Sequence, residues 1–246
     1  MKSFLREVKR VIRRLPKITP GEISRDLLVE ILGPYPQLIL EIGCNDGTHT
    51  NWFLELFPDA EIHCFEPDQR AIDRFRKTVS SDHVTLHPIA ISDRDGEVEF
   101  HVSGGGPDDR DMSQFPEGWD YSGSIRPPKK HLECFPWCSF DKTTTVATRS
   151  LDSWRREQGL SDRTIDFIWA DTQGAEVDLI RGGLETLGRT RYFYTEYSNR
   201  EMYQGQINFR KLMQMLPNYR LVHRYAGDLL VKNKSVSQSL LGARAA

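Results

Sequence analysis

Long apolar segments and cysteines are scarce in this chain of 246 residues. No segment reaches the roughly 18 apolar residues of a membrane-spanning helix, and the basic first residues lack the apolar core of a secretory signal peptide. Only four cysteines are present, two of them at or near predicted strand ends, as is typical of reduced intracellular proteins. We therefore expect a cytoplasmic protein.

An excess of charge of either sign is also absent, since the formal net charge is -2. Such a balance gives no general attraction to nucleic acid, and no basic stripe with interleaved aromatic residues occurs outside the first helix. We therefore expect no nucleic-acid partner. The hydrophobic content of 38% suits one α/β domain with a full core.

The sequence does contain a pattern of strand, loop and helix that begins at Leu38. Residues 38–42 form an apolar run, interrupted by one glutamate, that is typical of a strand buried on both faces. Gly43 and Gly47 allow a sharp turn and leave room for a ligand near the main chain, and Thr48 can cap the following helix. The pattern predicts a nucleotide-type binding loop.

Glu41 stands where a dinucleotide-binding loop would have its first glycine. A carboxylate there repels phosphate and favours a cation or an ammonium group, both of which S-adenosylmethionine offers. Glu66, at the end of the predicted strand Glu61–Phe65, can accept hydrogen bonds from both ribose hydroxyls of an adenosine. Because NAD has the same ribose, Glu66 alone does not choose between the two cofactors. A glycine-rich turn of some other α/β protein is the plainer alternative.

Residues 103 to about 142 are rich in glycine, proline and aromatic side chains and lack clear periodicity, which is typical of a lid or substrate loop. The run Thr143–Thr148 could pair with Glu97–Val102 and close the sheet beneath this lid. The pattern His-x-x-Cys-x-x-x-Cys that begins at His131 suggests zinc, but a structural zinc site needs four ligands and no fourth lies nearby. We therefore predict no metal site.

The two ends of the chain differ in character from its middle. Residues 1–15 predict a basic amphipathic helix, which could contact a membrane surface or another subunit, or pack on its own domain. Residues 219–225 and 229–231 predict a closing hairpin. We expect a helical appendage at residues 1–35, a doubly wound α/β domain at 36–234 and a fraying polar tail at 235–246.

Five short motifs, in this order, resemble those of the FkbM family of methyltransferases. They are Glu41-Ile-Gly-Cys-Asn-Asp-Gly47, Phe65-Glu-Pro67, Ala90-Ile-Ser-Asp93 with Gly96, Ser150-Leu-Asp-Ser-Trp154 and Asp171-Thr-Gln-Gly-Ala-Glu176. The resemblance covers about residues 37–199 and is weakest in the lid. It implies a Rossmann-like class I methyltransferase fold, with a mostly parallel seven-stranded sheet and an antiparallel last strand. It also implies methylation of hydroxyl groups on sugars, polyketides and related metabolites.

The resemblance further implies roles for single residues. It implies that three groups of residues bind S-adenosylmethionine. These are Glu41, Gly43, Asn45, Gly47 and Thr48 at the methionine end, Glu66 at the ribose, and Ala90, Ile91 and Ser92 near the adenine. Many family members have Glu where this chain has Gln173, and an amide is neither a base nor an anionic metal ligand. An amide can still hydrogen-bond a polyol. We predict that Gln173, Ser124 and Tyr197 contact the acceptor.

Methyl transfer to a hydroxyl requires alignment of the acceptor oxygen and removal of its proton. Asp171 and Glu196 follow two predicted strands, whose carboxyl ends face the same crevice in a parallel sheet. They are the predicted catalytic residues, although an ordinary Asp is a weak base unless burial raises its pKa. Each could instead only order a loop or cap a helix, a role that suits Glu176 better. The alternative bases are His49, His101 and His131.

The sequence therefore predicts an S-adenosylmethionine-dependent O-methyltransferase with a small-molecule or glycan acceptor. An NAD-linked enzyme of the same fold is the second hypothesis, and Glu41 disfavours it. A cofactor-binding protein without catalytic activity is the third, and only Gln173 suggests it.

Overall fold

The computed structural model describes residues 17–109 and 111–236, so the predicted first helix and the residues from 237 onward lie outside the described part. Ten strands occur in the described ranges: β1 Leu38–Ile42, β2 Glu61–Phe65, β3 Val84–His87, β4 Ala90–Ser92, β5 Gly96–Gly105, β6 Cys138–Ser150, β7 Ile165–Ala170, β8 Thr190–Glu196, β9 Tyr219–Arg224 and β10 Asp228–Asn233. The helices described are α1 Arg25–Leu32, α2 Thr48–Leu56, α3 Gln69–Thr78, α4 His131–Cys134, α5 Leu151–Glu157, α6 Glu176–Gly182, α7 Leu184–Gly188 and α8 Phe209–Met215.

The central sheet has seven strands in the order β3-β2-β1-β7-β8-β10-β9. β1 pairs in parallel with both β2 and β7, whereas β10 is antiparallel to its two neighbours, β8 and β9. Every residue of β1 and β7 is buried, as the apolar run in β1 predicts for strands covered on both faces. The predicted α/β fold, with its mostly parallel sheet and antiparallel last strand, is confirmed.

Alternate residues of β1 enter the two cores on opposite faces of the sheet. Leu38, Leu40 and Ile42 belong to one hydrophobic cluster, and Ile39 belongs to the other. The second cluster also includes Leu28 and Leu32 from α1. Part of the predicted appendage at residues 1–35 therefore packs as a component of the main domain, and residue 35 does not separate two packing units.

A second sheet, in the order β4-β6-β5, lies outside the central one. Residues 97–102 of β5 pair antiparallel with residues 142–147 of β6, so the predicted pairing of these two runs is confirmed. The sheet that they close beneath the lid is not the central one, because β6 pairs with β4 and β5 only. Both strands also continue into the predicted lid, which leaves 106–137 as the segment between them; we call this segment the insertion.

None of the helices in the described ranges has the length and apolar character that crossing a membrane requires.

Candidate active site

The loops after β1 and β7 touch each other at the carboxyl edge of the central sheet. The Asp171 amide donates to the carbonyl of Ile42 over 2.9 Å, and Gly43 is so close to Asp171 that a β-carbon on Gly43 would overlap the Asp171 carbonyl oxygen. A β-carbon on Gly47 would likewise overlap the side chain of Val79. Both glycines have positive φ, as predicted, but the space beside them is filled by protein and is not room for a ligand.

Thr48 is the first residue of α2 and not its cap, so the predicted capping role is wrong. Gly47 occupies the cap position, and the Asp46 carboxylate accepts hydrogen bonds from the amide and the hydroxyl of Thr48 over 3.1 and 2.8 Å. The side chain of Thr48 is exposed. Asp46 performs the capping because its carboxylate precedes the first free amides of the helix.

Glu41 lies beneath the loop and lines neither of the two cavities described below. Its carboxyl group is fully buried, accepts a hydrogen bond from the Thr50 hydroxyl over 2.5 Å, and leaves Oε1 without a partner. Burial raises the pKa of Glu41 to about 8. The predicted attraction of a cation by Glu41 therefore has no support in the geometry, because its carboxyl group is enclosed by protein and lines neither cavity.

Glu66, by contrast, reaches a cavity at the end of β2. Its two carboxyl oxygens accept the amides of Asn45 and Asp68 over 3.0 and 2.8 Å, and burial raises its pKa to about 8. Asn45 has φ of 45°, in the left-handed region that asparagine tolerates better than most residues. The loop after β1 is thus fastened to the end of β2.

This first cavity, of about 50 Å³, has mainly apolar walls from β4, β5 and the insertion. Ala90 and Ile91 line it where the sequence places the adenine, and no lysine or arginine lines it. Ser92 is absent from the lining, because its hydroxyl donates to the Arg94 carbonyl and accepts from Thr148. A mainly apolar slot with two carboxyl residues, Glu66 and Asp171, and no lysine or arginine fits a nucleoside better than a pyrophosphate.

The two carboxyl groups predicted at the ends of β7 and β8 lie here: Asp171 lines this cavity, and Glu196 lies beside Asp171. Gln173 Nε2 lies 2.6 Å from Asp171 Oδ1 and 3.4 Å from Glu196 Oε2, and the two carboxyl groups are hydrogen-bonded to each other. Burial raises the pKa of both, and the pKa of Glu196 rises further because Asp171, Glu176 and Asp228 are near. The structure therefore brings Asp171, Gln173 and Glu196 together.

A second cavity, of about 690 Å³, adjoins this group on the other side. Gln173 and Glu196 line it, together with aromatic side chains from the insertion and from the loop after β8: Trp119, Tyr121, His131, Phe135, Trp137 and Tyr203. The Nδ1 atom of His131 is buried there without a hydrogen-bond partner, and burial lowers the pKa of His131. A large cavity with aromatic walls and a few convergent polar groups is typical of a small-molecule site.

The other two predicted acceptor contacts have their hydroxyls engaged elsewhere. The Ser124 hydroxyl donates to the Gln173 carbonyl over 2.7 Å, and Ser124 lines the smaller cavity rather than the larger one. Tyr197 lines the larger cavity, but its hydroxyl donates to the carbonyl of Tyr225 and accepts from Arg224. Ser124 thus fastens the insertion to the loop after β7, and Tyr197 fastens β8 to the closing hairpin.

The alternative bases have different surroundings. His49 packs against Trp169 at 4.3 Å between ring centroids, and burial lowers its pKa although Asp171 lies near. His101 lies on β5, where its backbone bridges Ser124, and it lines neither cavity. Of the three histidines, only His131 lines the larger cavity. In the described ranges, no three His, Cys, Asp or Glu side chains form a group suited to a metal ion.

Sequence reasoning missed Tyr203 and the contacts of the insertion with the loop after β1. Asp120 forms an ion pair with Arg74, which also donates to Asn45 Oδ1 over 3.0 Å, and the Tyr121 hydroxyl donates to Asp46 over 2.8 Å. No periodicity marks these residues, and the contacts span 29 to 75 positions of the chain. The only signal in the sequence that could have indicated these residues is the aromatic and acidic composition of the segments that contain them.

Comparison with known proteins identifies the family. Solved structures with a low likeness include an O-methyltransferase from Bacillus cereus in complex with SAH, at 17% identity and a TM-score of 0.46, covering 94% of this chain and 91% of that one. A precorrin-6y C5,15-methyltransferase from Geobacter metallireducens GS-15 has 10% identity and a TM-score of 0.42, with 89% and 94% covered.

A relative in sequence is the 2-O-methyltransferase NoeI of Sinorhizobium fredii (strain NBRC 101917 / NGR234), which is 46% identical over 238 residues, 95% of this chain and 93% of that protein. The model of the methyltransferase FkbM domain matches residues 41–226. The predicted family is therefore confirmed: the chain belongs to the FkbM methyltransferases.

Proposed function

We propose that this methyltransferase transfers a methyl group from S-adenosylmethionine to a hydroxyl group of a carbohydrate. The observation that carries the proposal is the position of the Asp171 and Glu196 carboxyl pair between a nucleoside-like slot and a large aromatic cavity. The expected oxygen acceptor agrees with the name of the relative, a 2-O-methyltransferase that is 46% identical to this chain.

The smaller cavity fits the cofactor in its chemistry. Glu66 would accept the ribose hydroxyls, and Ala90 and Ile91 would cover the adenine. The absence of lysine and arginine from the lining disfavours the pyrophosphate of NAD. When bound, S-adenosylmethionine supplies a methyl group on a positively charged sulfur.

The larger cavity fits a sugar ring, which has apolar C–H faces and a polar edge. Aromatic rings such as Trp137 and Phe135 offer flat apolar surfaces, and Gln173, Glu196 and Gln206 offer hydrogen-bonding groups. A cavity of about 690 Å³ has space for more than one such ring. These features support an oligosaccharide as the acceptor.

Asp171 is the proposed general base and Glu196 its partner. The raised pKa values make these carboxyls stronger bases than exposed ones, which suits removal of a proton from an alcohol. Two carboxyl groups that share a hydrogen bond hold one proton between them, so one stays ionised at neutral pH.

The test combines calorimetry with a methyl-transfer assay. We expect S-adenosylmethionine and S-adenosylhomocysteine to bind and Glu66→Gln to weaken both by 10-fold or more, since the amide nitrogen of glutamine cannot accept a ribose hydroxyl as the carboxyl oxygen does. Asp171→Asn should lower kcat on oligosaccharides at least 100-fold while the affinity for S-adenosylhomocysteine changes little. Glu99→Gln, at an exposed carboxyl on β5, is the matched control. Tighter binding of NAD, or cofactor binding without methyl transfer to any hydroxyl, would contradict the proposal.

A further inference from the structure

Gln173 has a backbone conformation that side chains rarely adopt. Its φ is 49°, and Asn45 is the one other non-glycine residue with positive φ in the described ranges. The next residue, Gly174, lies so close to Tyr203 that a β-carbon would come within 2.6 Å of it. Strained conformations of this kind persist only where the surroundings hold them, and they are common at active sites.

Three groups hold Gln173 in place. The Ser124 hydroxyl donates to its backbone carbonyl over 2.7 Å, and the Tyr203 hydroxyl lies 2.9 Å from its side-chain oxygen Oε1. Its Nε2 atom donates to Asp171 Oδ1 over 2.6 Å. The side chain is therefore fixed at both ends of its amide group.

Asp171 and Tyr203, the partners of the Gln173 amide group, both favour the same orientation of that group. The amide nitrogen faces Asp171 and Glu196, because the oxygen would be repelled by a carboxylate in that place. The amide oxygen then faces Tyr203, which can donate to it. Tyr203 is almost fully buried and its hydroxyl also lies 2.8 Å from the Ser122 carbonyl, so its own position is fixed by the insertion.

The side-chain amide of Gln173 donates hydrogen bonds to a carboxyl pair that has further ionisable groups around it. His49, Glu176 and Asp228 face the carboxyl pair from α2, α6 and β10, and two of these three groups are acids. Glu176 is itself engaged, since its Oε1 accepts the Gly174 amide and the Thr172 hydroxyl. The hydrogen bond from Gln173 lowers the pKa of Asp171, whereas the neighbouring acids raise the pKa of Glu196.

We propose that Gln173 and Tyr203 are positioning residues that keep the negative charge of the carboxyl pair on Asp171 and the shared proton on Glu196. The inference rests on the proposed function, in which Asp171 is the base. In the reaction, the O–H bond of the acceptor breaks and its proton moves to Asp171, which becomes a neutral acid and later releases the proton to solvent. Gln173, in place of a third carboxylate, thus keeps one member of the pair ionised.

The first variant is Gln173→Asn, which retains an amide and suits positive φ but is one methylene too short to reach Asp171. We expect the acid limb of the pH profile of kcat/KM to move upward by about one pH unit, because the ionised form of Asp171 loses a donor. Tyr203→Phe should move the acid limb in the same direction by less, because Gln173 keeps its amide group but the oxygen of that group loses its hydrogen bond to Tyr203.

A double variant separates positioning from direct contact. If Tyr203 acts through Gln173, then Tyr203→Phe should add nothing to the acid-limb shift in the Gln173→Asn background. The matched control is Tyr219→Phe, which removes another buried tyrosine hydroxyl, bonded to the Leu187 carbonyl and remote from the pair. Its profile should coincide with that of the unmodified protein.

A second measurement requires neither cofactor nor acceptor. Carbon-13 NMR of the carboxyl groups, assigned with Asp171→Asn, should show a higher midpoint for Asp171 in Gln173→Asn than in the unmodified protein. An unchanged midpoint, or additive effects in the double variant, would overturn the inference. Because the NMR midpoint is read in the free protein, its failure is distinguishable from an absence of methyl transfer.

Discussion

At the scale of the residue, Gly43 has no β-carbon, and this allows the loop after β1 to lie against the loop after β7. A β-carbon there would overlap the Asp171 carbonyl oxygen, and φ is 83°. We expect Gly43→Ala to lower the free energy of unfolding by about 3 kcal/mol or more, since both the strand ends and the backbone conformation must change. Denaturant titration measures this loss.

The control for Gly43 is Gly188→Ala. Gly188 is exposed, has no atom within 4 Å of the added carbon and has no positive φ. Its variant should remain within about 0.5 kcal/mol of the unmodified protein. If Gly43→Ala were equally mild, the close approach of the two loops would not constrain the fold.

At the scale of the element, the insertion is fastened over the loop after β1. Tyr121 binds Asp46, and Asp120 pairs with Arg74, whose Nη2 lies 2.8 Å from Asp120 Oδ1. With the insertion in this position the smaller cavity holds about 50 Å³, well below the roughly 300 Å³ or more of ordinary ligand sites. The walls of this cavity have to move apart for a nucleoside to enter, and we expect the insertion, which supplies Gly123, Ser124 and Ile125, to be the wall that shifts.

Loss of the Tyr121 hydroxyl should ease that shift. We expect Tyr121→Phe to raise the dissociation rate of S-adenosylhomocysteine about 2- to 10-fold, which corresponds to one hydrogen bond. Stopped-flow fluorescence measures the rate, and Tyr35→Phe, at an exposed tyrosine, is the control. An unchanged rate for Tyr121→Phe would show that this contact does not limit release.

The sequence predicted elements better than contacts for a physical reason. The apolar run Leu38–Ile42 and the alternation in Glu97–Val102 are local patterns, and local patterns determine strands. Which sheet a strand joins is decided by packing, so the separate sheet of β4, β5 and β6 was missed. The burial of Glu41 was missed for the same reason, since a strand pattern does not say what covers each face.

In the site, too, the residues at strand ends were predicted and the contacts made by irregular segments were not. Asp171 and Glu196 were predicted together because parallel strands end at one edge of a sheet, whereas Gln173 was predicted from the resemblance of its motif. Tyr203 lies 30 positions from Gln173 and no motif links them. Contacts made by irregular segments depend on the closed fold, which a single sequence does not display.

At the scale of the whole molecule, buried acids determine how stability depends on pH. Burial raises the pKa of Glu41 and Glu66 to about 8 and that of Glu176 and Asp228 to about 7. Their unfolded counterparts have lost their protons by about pH 6, so between pH 6 and 8 the folded state binds more protons and its stability falls as pH rises. His87, whose pKa burial lowers to about 4, acts in the opposite sense, mainly below pH 6.5.

We therefore expect the free energy of unfolding to be several kcal/mol lower at pH 8 than at pH 6, as measured by denaturant titration at each pH. Glu41→Gln isolates one contribution, because the amide is neutral at every pH and has the same shape. In this variant the free energy of unfolding should fall between pH 6 and 8 less steeply than in the unmodified protein, by up to about 1.4 kcal/mol per pH unit. Glu99→Gln, at an exposed carboxyl, should retain the full slope. Equal slopes in the two variants would mean that Glu41 is ionised in the folded protein, and that its attraction for a cation has to be considered again.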